Sequence, residues 1–164
     1  MPIIENFRNI MKIIILRHGQ AIFQNSDRVL SSHGMREVAD TSSQMARMYK
    51  ITKCISSPKT RAVQTATIAC NQFNFRQDLD YLKDLAPSGD PDTVIAYVDA
   101  VCQKDDVVLL VSHLPLVENL AYHFVNKQKS PPEFETACAL ILDYDGQKGK
   151  FEKFFTPFDD YQDL

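Results

Sequence analysis

The sequence predicts an α/β protein with three layers, in which helices cover both faces of a mostly parallel central sheet and an antiparallel hairpin lies at its edge. Two short apolar runs, residues 12–16 and 107–111, are rich in β-branched side chains and have the composition of strands buried on both faces. Segments with helical periodicity lie between these runs and after the second. Strands that alternate with helices require a largely parallel sheet that is covered on both sides.

The first helix is predicted from small and apolar residues that recur every three or four positions between Met35 and Tyr49, with Ser31 or Ser32 as its capping residue. This helix leads into a short strand at residues 54–56. A second helix is predicted over residues 60–72, again from a stripe of small and apolar side chains. The first half of the chain therefore supplies two helices to cover the sheet.

A third helix is predicted to start at Asp90, a capping residue that is followed by a proline, and to run to about residue 101. A fourth is predicted over residues 114–125, with Pro115 in its first turn. Two strand-like runs, 138–144 and 150–155, flank a loop that contains glycine. They predict the antiparallel edge hairpin.

The composition indicates one globular domain over residues 1–164. Hydrophobic residues make up 45% of the chain and charged residues 24%, which provides a sizeable core and excludes a largely disordered chain. Residues 1–10 are expected to be either an extension that frays ahead of the domain or a segment that packs on it. The acidic tail, residues 158–164, is expected to fray at its end.

Charge and cysteine content exclude several classes of function. The net charge is −3, so no bulk positive field would attract nucleic acid or an anionic membrane. The four cysteines include no Cys-x-x-Cys pair, which argues against a structural zinc site and a close-spaced disulfide framework. Since the sequence has neither a secretory signal nor a membrane-spanning apolar run, a cytoplasmic protein is expected.

Histidines follow both predicted central strands at the point where each strand ends. Arg17-His18-Gly19 comes after the first strand and Ser112-His113 after the second. Because ligands of open α/β sheets bind beyond the carboxyl ends of the strands, these side chains would converge if the strands are neighbours. A structural role is the commoner alternative for any single histidine, but two at equivalent strand ends beside an arginine favour a site.

Arg61 is a third candidate, because it lies in the first turn of the predicted second helix, shortly after Ser57-Pro58. The helix dipole disfavours a cation there and favours an anion, so bound phosphate is the partner that we expect. The alternative is a solvated surface arginine. The remaining histidines, His33 and His123, are expected to have structural or surface roles.

Taken together, these motifs resemble those of the histidine phosphatase superfamily (branch 1), and in particular its short SixA-type phosphohistidine phosphatases. Arg17-His18-Gly19 is similar to the RHG motif for which the superfamily is named, and residues 57–65 and 111–117 are similar to its second and third motifs. The resemblance runs in order from about residue 11 to residue 157. It implies the phosphoglycerate-mutase-like form of the three-layer fold.

The resemblance implies a role for each candidate residue. His18 would be the nucleophile that accepts the phosphoryl group, while Arg17, Arg61 and a protonated His113 would bind the phosphate. No metal ion and no other cofactor is expected, because the cationic side chains already supply the charge that a metal would supply elsewhere.

The general acid of many relatives has no clear match here. The nearest carboxylates are Asp84 and Asp90, and Asp90 is expected to cap the third helix. If the substrate is phosphohistidine, the leaving group is an imidazole, which needs less protonation than an alkoxide.

The function implied by the resemblance is that of a phosphatase acting on phosphohistidine in a histidine-containing phosphotransfer (HPt-type) signalling protein, through a covalent phosphohistidine enzyme intermediate. Only about 50 residues separate Arg61 from His113, which favours an open site that admits a protein. The alternatives are a small-molecule phosphomonoesterase of the same fold and a catalytically silent phosphate-binding domain.

Overall fold

The structure is a computed structural model that describes residues 10–158 and 160–164. Its strands, in chain order, are β1 (Met11–Arg17), β2 (Ala21–Gln24), β3 (Asp27–Leu30), β4 (Lys53–Ser56), β5 (Asp80–Tyr81), β6 (Val107–Ser112), β7 (Ala139–Tyr144), β8 (Gly149–Thr156) and β9 (Asp160–Asp163). Its helices are α1 (Ser32–Ala46), α2 (Thr60–Gln72), α3 (Pro91–Val101) and α4 (Leu116–Phe124), with a short 3-10 helix at Lys83–Leu85. The expectation for residues 1–10 lies outside the described residues, apart from residue 10.

Seven strands form one sheet in the order β5-β4-β6-β1-β7-β8-β9. Strands β5, β4, β6 and β1 are parallel to one another. Strand β7 runs antiparallel to β1, and β8 and β9 continue this antiparallel half. The predicted combination of a mostly parallel centre and an antiparallel hairpin is confirmed.

Helices cover both faces of this sheet, as the sequence predicts. On one face, α3 and α4 pack with Ile13 and Ile15 of β1, and on the other face α1 and α2 pack with Ile14 and Leu16. All four side chains are fully buried. Burial of each contributes roughly 1.5–3 kcal/mol relative to exposure, so both faces of β1 stabilise the fold.

The predicted helices agree with the observed ones to within a few residues. Ser31 caps α1 by accepting from Gly34 N at 2.9 Å, and Asp90 caps α3 by accepting from Thr93 N at 2.9 Å. Helix α4 begins at Leu116, later than predicted, because Pro115 is its N-cap residue. In the part of the chain that the structure describes, none of the helices combines the length and the apolar character needed to cross a bilayer.

The acidic tail differs from the expectation that it would fray. Strand β9 pairs with β8, Asp163 forms an ion pair with Lys153, and the ring of Tyr161 stacks on Phe155 with 5.2 Å between the centroids. The strand is exposed and acidic, so its formation depends on backbone pairing with an available sheet edge. Local sequence patterns do not reveal such pairing.

A small second sheet, the hairpin β2–β3, was not predicted. It joins β1 to α1, and its two turn residues, Asn25 and Ser26, have φ values of 53° and 67°. Positive φ at both positions is the geometry of a tight hairpin turn, for which Asn-Gly is the usual sequence. The four-residue strands are too short, and the Asn-Ser pair too weak a signal, for the hairpin to be recognised from the sequence.

Candidate active site

Strand pairing brings the two histidines together. Strands β1 and β6 are adjacent and parallel, with Arg17 opposite Ser112, so the residues that follow them meet at one edge of the sheet. The rings of His18 and His113 lie edge to face, with 5.0 Å between their centroids. The convergence predicted from the sequence is therefore confirmed.

The chain after β1 is held against the start of α1. Gln20 N donates to Glu37 Oε1 at 2.7 Å, and a Cβ atom on Gly34 would lie 2.2 Å from the Gln20 carbonyl oxygen. Only glycine permits this close approach of α1 to the segment that carries His18. Glu37 was not identified from the sequence, because a helical glutamate without a motif is normally exposed, whereas this one is buried.

His18 is neutral and presents one unpaired ring nitrogen. Its Nδ1 lies 2.7 Å from the carbonyl oxygen of Gly19, which can only accept, so Nδ1 carries the proton and Nε2 has the free lone pair. Burial, supplemented by the charges of Arg61 and Arg17, lowers the pKa of His18 from 6.5 to about 4. At neutral pH, Nε2 is therefore available as a nucleophile.

His113 is also neutral in the free site, whereas the expectation of a protonated ring concerns the site with a phosphoryl group bound. Burial, with the nearby His18 and Arg61, lowers the pKa of His113 to about 3. Its Nε2 lies 2.8 Å from the hydroxyl of Ser57, which itself accepts a bond from Lys59 N. We assign the hydroxyl proton of Ser57 to the bond with Nε2, so that Nδ1 of His113 carries the ring proton and is a donor.

The donors around His18 form a candidate anion site. Arg17 Nη1 donates to the carbonyl oxygen of Phe134 at 2.9 Å. Nε of Arg17, Nε of Arg61 and Nδ1 of His113 are buried and have no hydrogen-bond partner among the described residues. Since buried polar groups are nearly always paired, three such donors beside His18 indicate a ligand with several acceptor oxygens. Burial lowers the pKa of both guanidinium groups, but from so high a starting value that both stay charged.

The two candidate acids, Asp84 in the 3-10 helix and Asp90 at the N-cap of α3, are both engaged in hydrogen bonds. Asp84 Oδ1 accepts from the backbone N of Asp90 at 3.3 Å, and Asp90 Oδ2 accepts from both the backbone N and the hydroxyl of Thr93. Asp90 thus has the capping role that the sequence predicts. The strongest charges acting on His18 come from arginines, not from either carboxylate.

The other two histidines have partners away from His18. His33 Nε2 lies 3.6 Å from Glu37 Oε2, and His123 Nδ1 lies 2.9 Å from Asp92 Oδ1. Both contacts fit the structural or surface roles expected from the sequence. In residues 10–158 and 160–164, no three His, Cys, Asp or Glu side chains are grouped so that they could hold a metal ion.

A cavity of about 460 Å³ adjoins the site on the side of Arg17. Its other lining residues are Leu114, Glu118, Glu133, Phe134, Glu135 and Thr136. Glu118 Oε2 accepts from Phe134 N at 2.7 Å, which fixes the loop whose carbonyl oxygen orients Arg17. Arg17 therefore borders both the nucleophile and this cavity.

The low pKa of both site histidines predicts their titration behaviour. Because burial penalises the charged form, His18 and His113 are expected to remain neutral as pH falls from 7 to about 5, well below the midpoint of an unperturbed histidine. Ring nitrogen chemical shifts, assigned with His18→Asn and His113→Asn, measure this directly. A midpoint near 6.5 for either ring would contradict the proposed burial effect.

Comparison with known proteins shows what this chain is similar to. The profile of the histidine phosphatase superfamily (branch 1) matches residues 13–86. Phosphohistidine phosphatase SixA of Escherichia coli (strain K12) is 33% identical over 147 residues, which cover 83% of this chain and 88% of that protein. A phosphohistidine phosphatase SixA homolog of Haemophilus influenzae is 30% identical over 155 residues, or 85% of this chain and 92% of that protein. The structure of the protein histidine phosphatase SixA complexed with tungstate superposes with a TM-score of 0.82 at 28% identity, covering 90% of this chain and 97% of that one.

Proposed function

Since this chain belongs to branch 1 of the histidine phosphatase superfamily, we propose that it hydrolyses phosphohistidine on a histidine-containing phosphotransfer (HPt-type) protein, and that it does so through a covalent intermediate on His18. One observation carries the proposal. The neutral Nε2 of His18 lies beside three buried donors that have no hydrogen-bond partner among the described residues. A neutral imidazole attacks phosphorus, and the donors of Arg17, Arg61 and His113 neutralise the phosphoryl oxygens.

In the first step, the lone pair of His18 Nε2 forms a bond to phosphorus as the bond from phosphorus to the substrate imidazole breaks. The substrate ring carries a proton on its other nitrogen, so that, with the electron pair of the broken bond, it leaves as a neutral histidine. His18 Nδ1–H keeps its bond to Gly19 O, so the phosphorylated ring of His18 is a cation. The cationic ring is a good leaving group for the second step.

In the second step, the oxygen of a water molecule forms a bond to phosphorus and the bond to His18 Nε2 breaks. The electron pair returns to Nε2, and both water protons remain on the released dihydrogen phosphate. Neither step needs a proton on an alkoxide, so the engagement of Asp84 and Asp90 in hydrogen bonds to backbone N–H groups is compatible with turnover. Positioning and electrostatic stabilisation supply most of the rate acceleration.

A protein substrate is supported by the position of the chain between Arg61 and His113. This segment forms the rest of α2, β5, the 3-10 helix, α3 and β6, and α3 packs with α4 on one face of the sheet. The two curated relatives are named as phosphohistidine phosphatases. We infer that the edge where the two histidines meet admits a phosphorylated side chain that projects from a protein surface.

The test of this proposal compares leaving groups. Phosphohistidine on an HPt domain is expected to be hydrolysed with a kcat/KM at least about 10²-fold above that of a sugar phosphate, since a general acid typically contributes this much for an alkoxide. Aryl phosphates, whose leaving groups need little protonation, are expected to fall between the two. Steady-state release of inorganic phosphate measures all three.

Two matched variants complete this test. Asp84→Asn and Asp90→Asn are expected to change phosphohistidine hydrolysis less than about threefold, because neither carboxylate is needed as an acid. If sugar phosphates are turned over as fast as phosphohistidine, and one of these variants selectively removes that activity, the protein is a small-molecule phosphomonoesterase. If no phosphorylated compound is turned over, it is a silent phosphate-binding domain.

A further inference from the structure

The hairpin β2–β3 forms a wall next to the candidate active site. It starts three residues after His18 and is tied to α2, the helix that carries Arg61. Thr60 Oγ1 donates to Asp27 Oδ2 at 2.5 Å, and Leu30 N donates to Gln64 Oε1 at 2.8 Å. The hairpin is therefore fixed relative to the anion site by bonds at both ends of β3.

Arg28, in the middle of β3, adds a positive charge to the site. It lies between Asp27 and Leu30, whose hydrogen bonds to Thr60 and Gln64 hold β3 against the helix that carries Arg61, and its charge lowers the pKa of His18, His113 and Arg61. Its effect on His18 is smaller than those of Arg61 and Arg17, as expected of a cation farther out. Among the described residues, no carboxylate forms an ion pair with the Arg28 side chain.

The strand opposite Arg28 exposes apolar surface. Phe23 is the direct cross-strand partner of Arg28, and its side chain is 78% exposed. Directly opposite residues in antiparallel strands project from the same face of the hairpin. The neighbouring Ile22 is 49% exposed. Apolar side chains this exposed beside a charged site are typical of a surface that contacts a partner.

We propose that the β2–β3 hairpin recognises the phosphoprotein, with Arg28 binding an outer oxygen of the phosphoryl group and Phe23 contacting apolar surface that flanks the phosphorylated histidine. This inference rests on the proposed function. The charge complementarity is direct, because a phosphoryl dianion meets an unpaired guanidinium next to two others. Arg28 would act on substrate binding and Phe23 on the choice of a protein over a small molecule.

Three probes separate these roles: inorganic phosphate, free phosphohistidine, and an HPt domain phosphorylated chemically with phosphoramidate. Arg28→Gln is expected to weaken phosphate binding, measured by calorimetry, and to raise KM for both substrates by about tenfold or more, as loss of a charge-assisted hydrogen bond does. Phe23→Ala is expected to raise KM for the HPt domain about three- to tenfold and to leave phosphate binding and free phosphohistidine unchanged. Arg76→Gln, an exposed arginine just beyond the end of α2, is the matched control and should change none of these values.

Each part of the proposal has a result that overturns it. If the Arg28→Gln protein is folded, as checked by its melting temperature, and binds phosphate with wild-type affinity, then Arg28 does not bind the phosphoryl group. If Phe23→Ala leaves KM for the HPt domain unchanged, Phe23 does not contact the protein substrate as proposed. If the wild-type protein hydrolyses only aryl phosphates, the proposed function fails, but phosphate calorimetry still decides the role of Arg28 independently.

Discussion

The variant His18→Ala is expected to lose phosphatase activity by about 10⁴-fold or more, because it removes the atom to which phosphorus bonds. His18 Nε2 is the unpaired, neutral nitrogen among the donors of the anion site. Arg17, Arg61 and His113 remain in this variant, so inorganic phosphate should still bind. The expected result is loss of kcat with retained phosphate affinity, a combination that unfolding cannot produce.

The proposed covalent intermediate on His18 provides a second, direct measurement for this prediction. Rapid mixing of the wild-type protein with a radiolabelled substrate, followed by alkaline quench, should trap a phosphoenzyme that is stable in base and labile in acid. Mass spectrometry should place the phosphate on His18, and His18→Ala should form none. His123→Ala, whose histidine contacts Asp92, is the matched control and should react as the wild-type protein does. Phosphate found on another residue would refute the covalent mechanism through His18.

The second large effect is expected for Arg61→Lys, which keeps the positive charge but should lower kcat/KM by about 10²-fold, the usual effect of removing one preorganised donor from a charged transition state. An ammonium group on a flexible stem cannot reproduce the planar fork of a guanidinium, and it lacks Nε. In this structure, Arg61 Nε is one of the buried donors without a partner among the described residues. The loss should appear mainly in kcat, because the developing charge is greatest in the transition state.

The control for this variant is Arg76→Lys, since Arg76 is an exposed arginine just beyond the far end of the helix that carries Arg61. It should retain wild-type kinetics, which separates the site effect from a general effect of exchanging arginine for lysine. Rates on an aryl phosphate and on phosphohistidine should fall together in Arg61→Lys, because both transfer the same phosphoryl group. Kinetics within threefold of the wild type would mean that Arg61 is the solvated surface arginine that the sequence left as its alternative.

Much of the fold follows from local patterns. The run Ile13–Leu16 is apolar at every position, which is possible in water only if both faces of the strand are covered, and both faces are covered. The stripes of α1 and α2 and the cap of α3 are likewise properties of short segments, so they could be predicted without knowledge of the tertiary structure. Strand β9 and the hairpin β2–β3 could not be predicted in this way. Their formation depends on pairing partners and on turn geometry for which their own sequences carry only weak signals.

The candidate site likewise has features that local sequence predicts and features that depend on tertiary structure. Its four principal residues, Arg17, His18, Arg61 and His113, could be named from the sequence, since each follows a strand or opens a helix where ligands of α/β proteins bind. The contacts that orient them could not be anticipated. Phe134 O and the Ser57 hydroxyl meet the site only through long-range packing.

The sequence by itself determined the class of fold and the candidate reactive groups, because strand burial, helix caps and motifs are local properties of the chain. Tertiary structure alone decided that β1 and β6 are neighbours, and therefore that His18 and His113 meet. It also decided that the pKa of His113 in the free site lies well below its ordinary value, because a histidine's charge depends on how much water and which cations surround the ring. The placement of Arg28 beside the site depends likewise on a hairpin fixed by α2, over a separation in sequence that no local pattern spans.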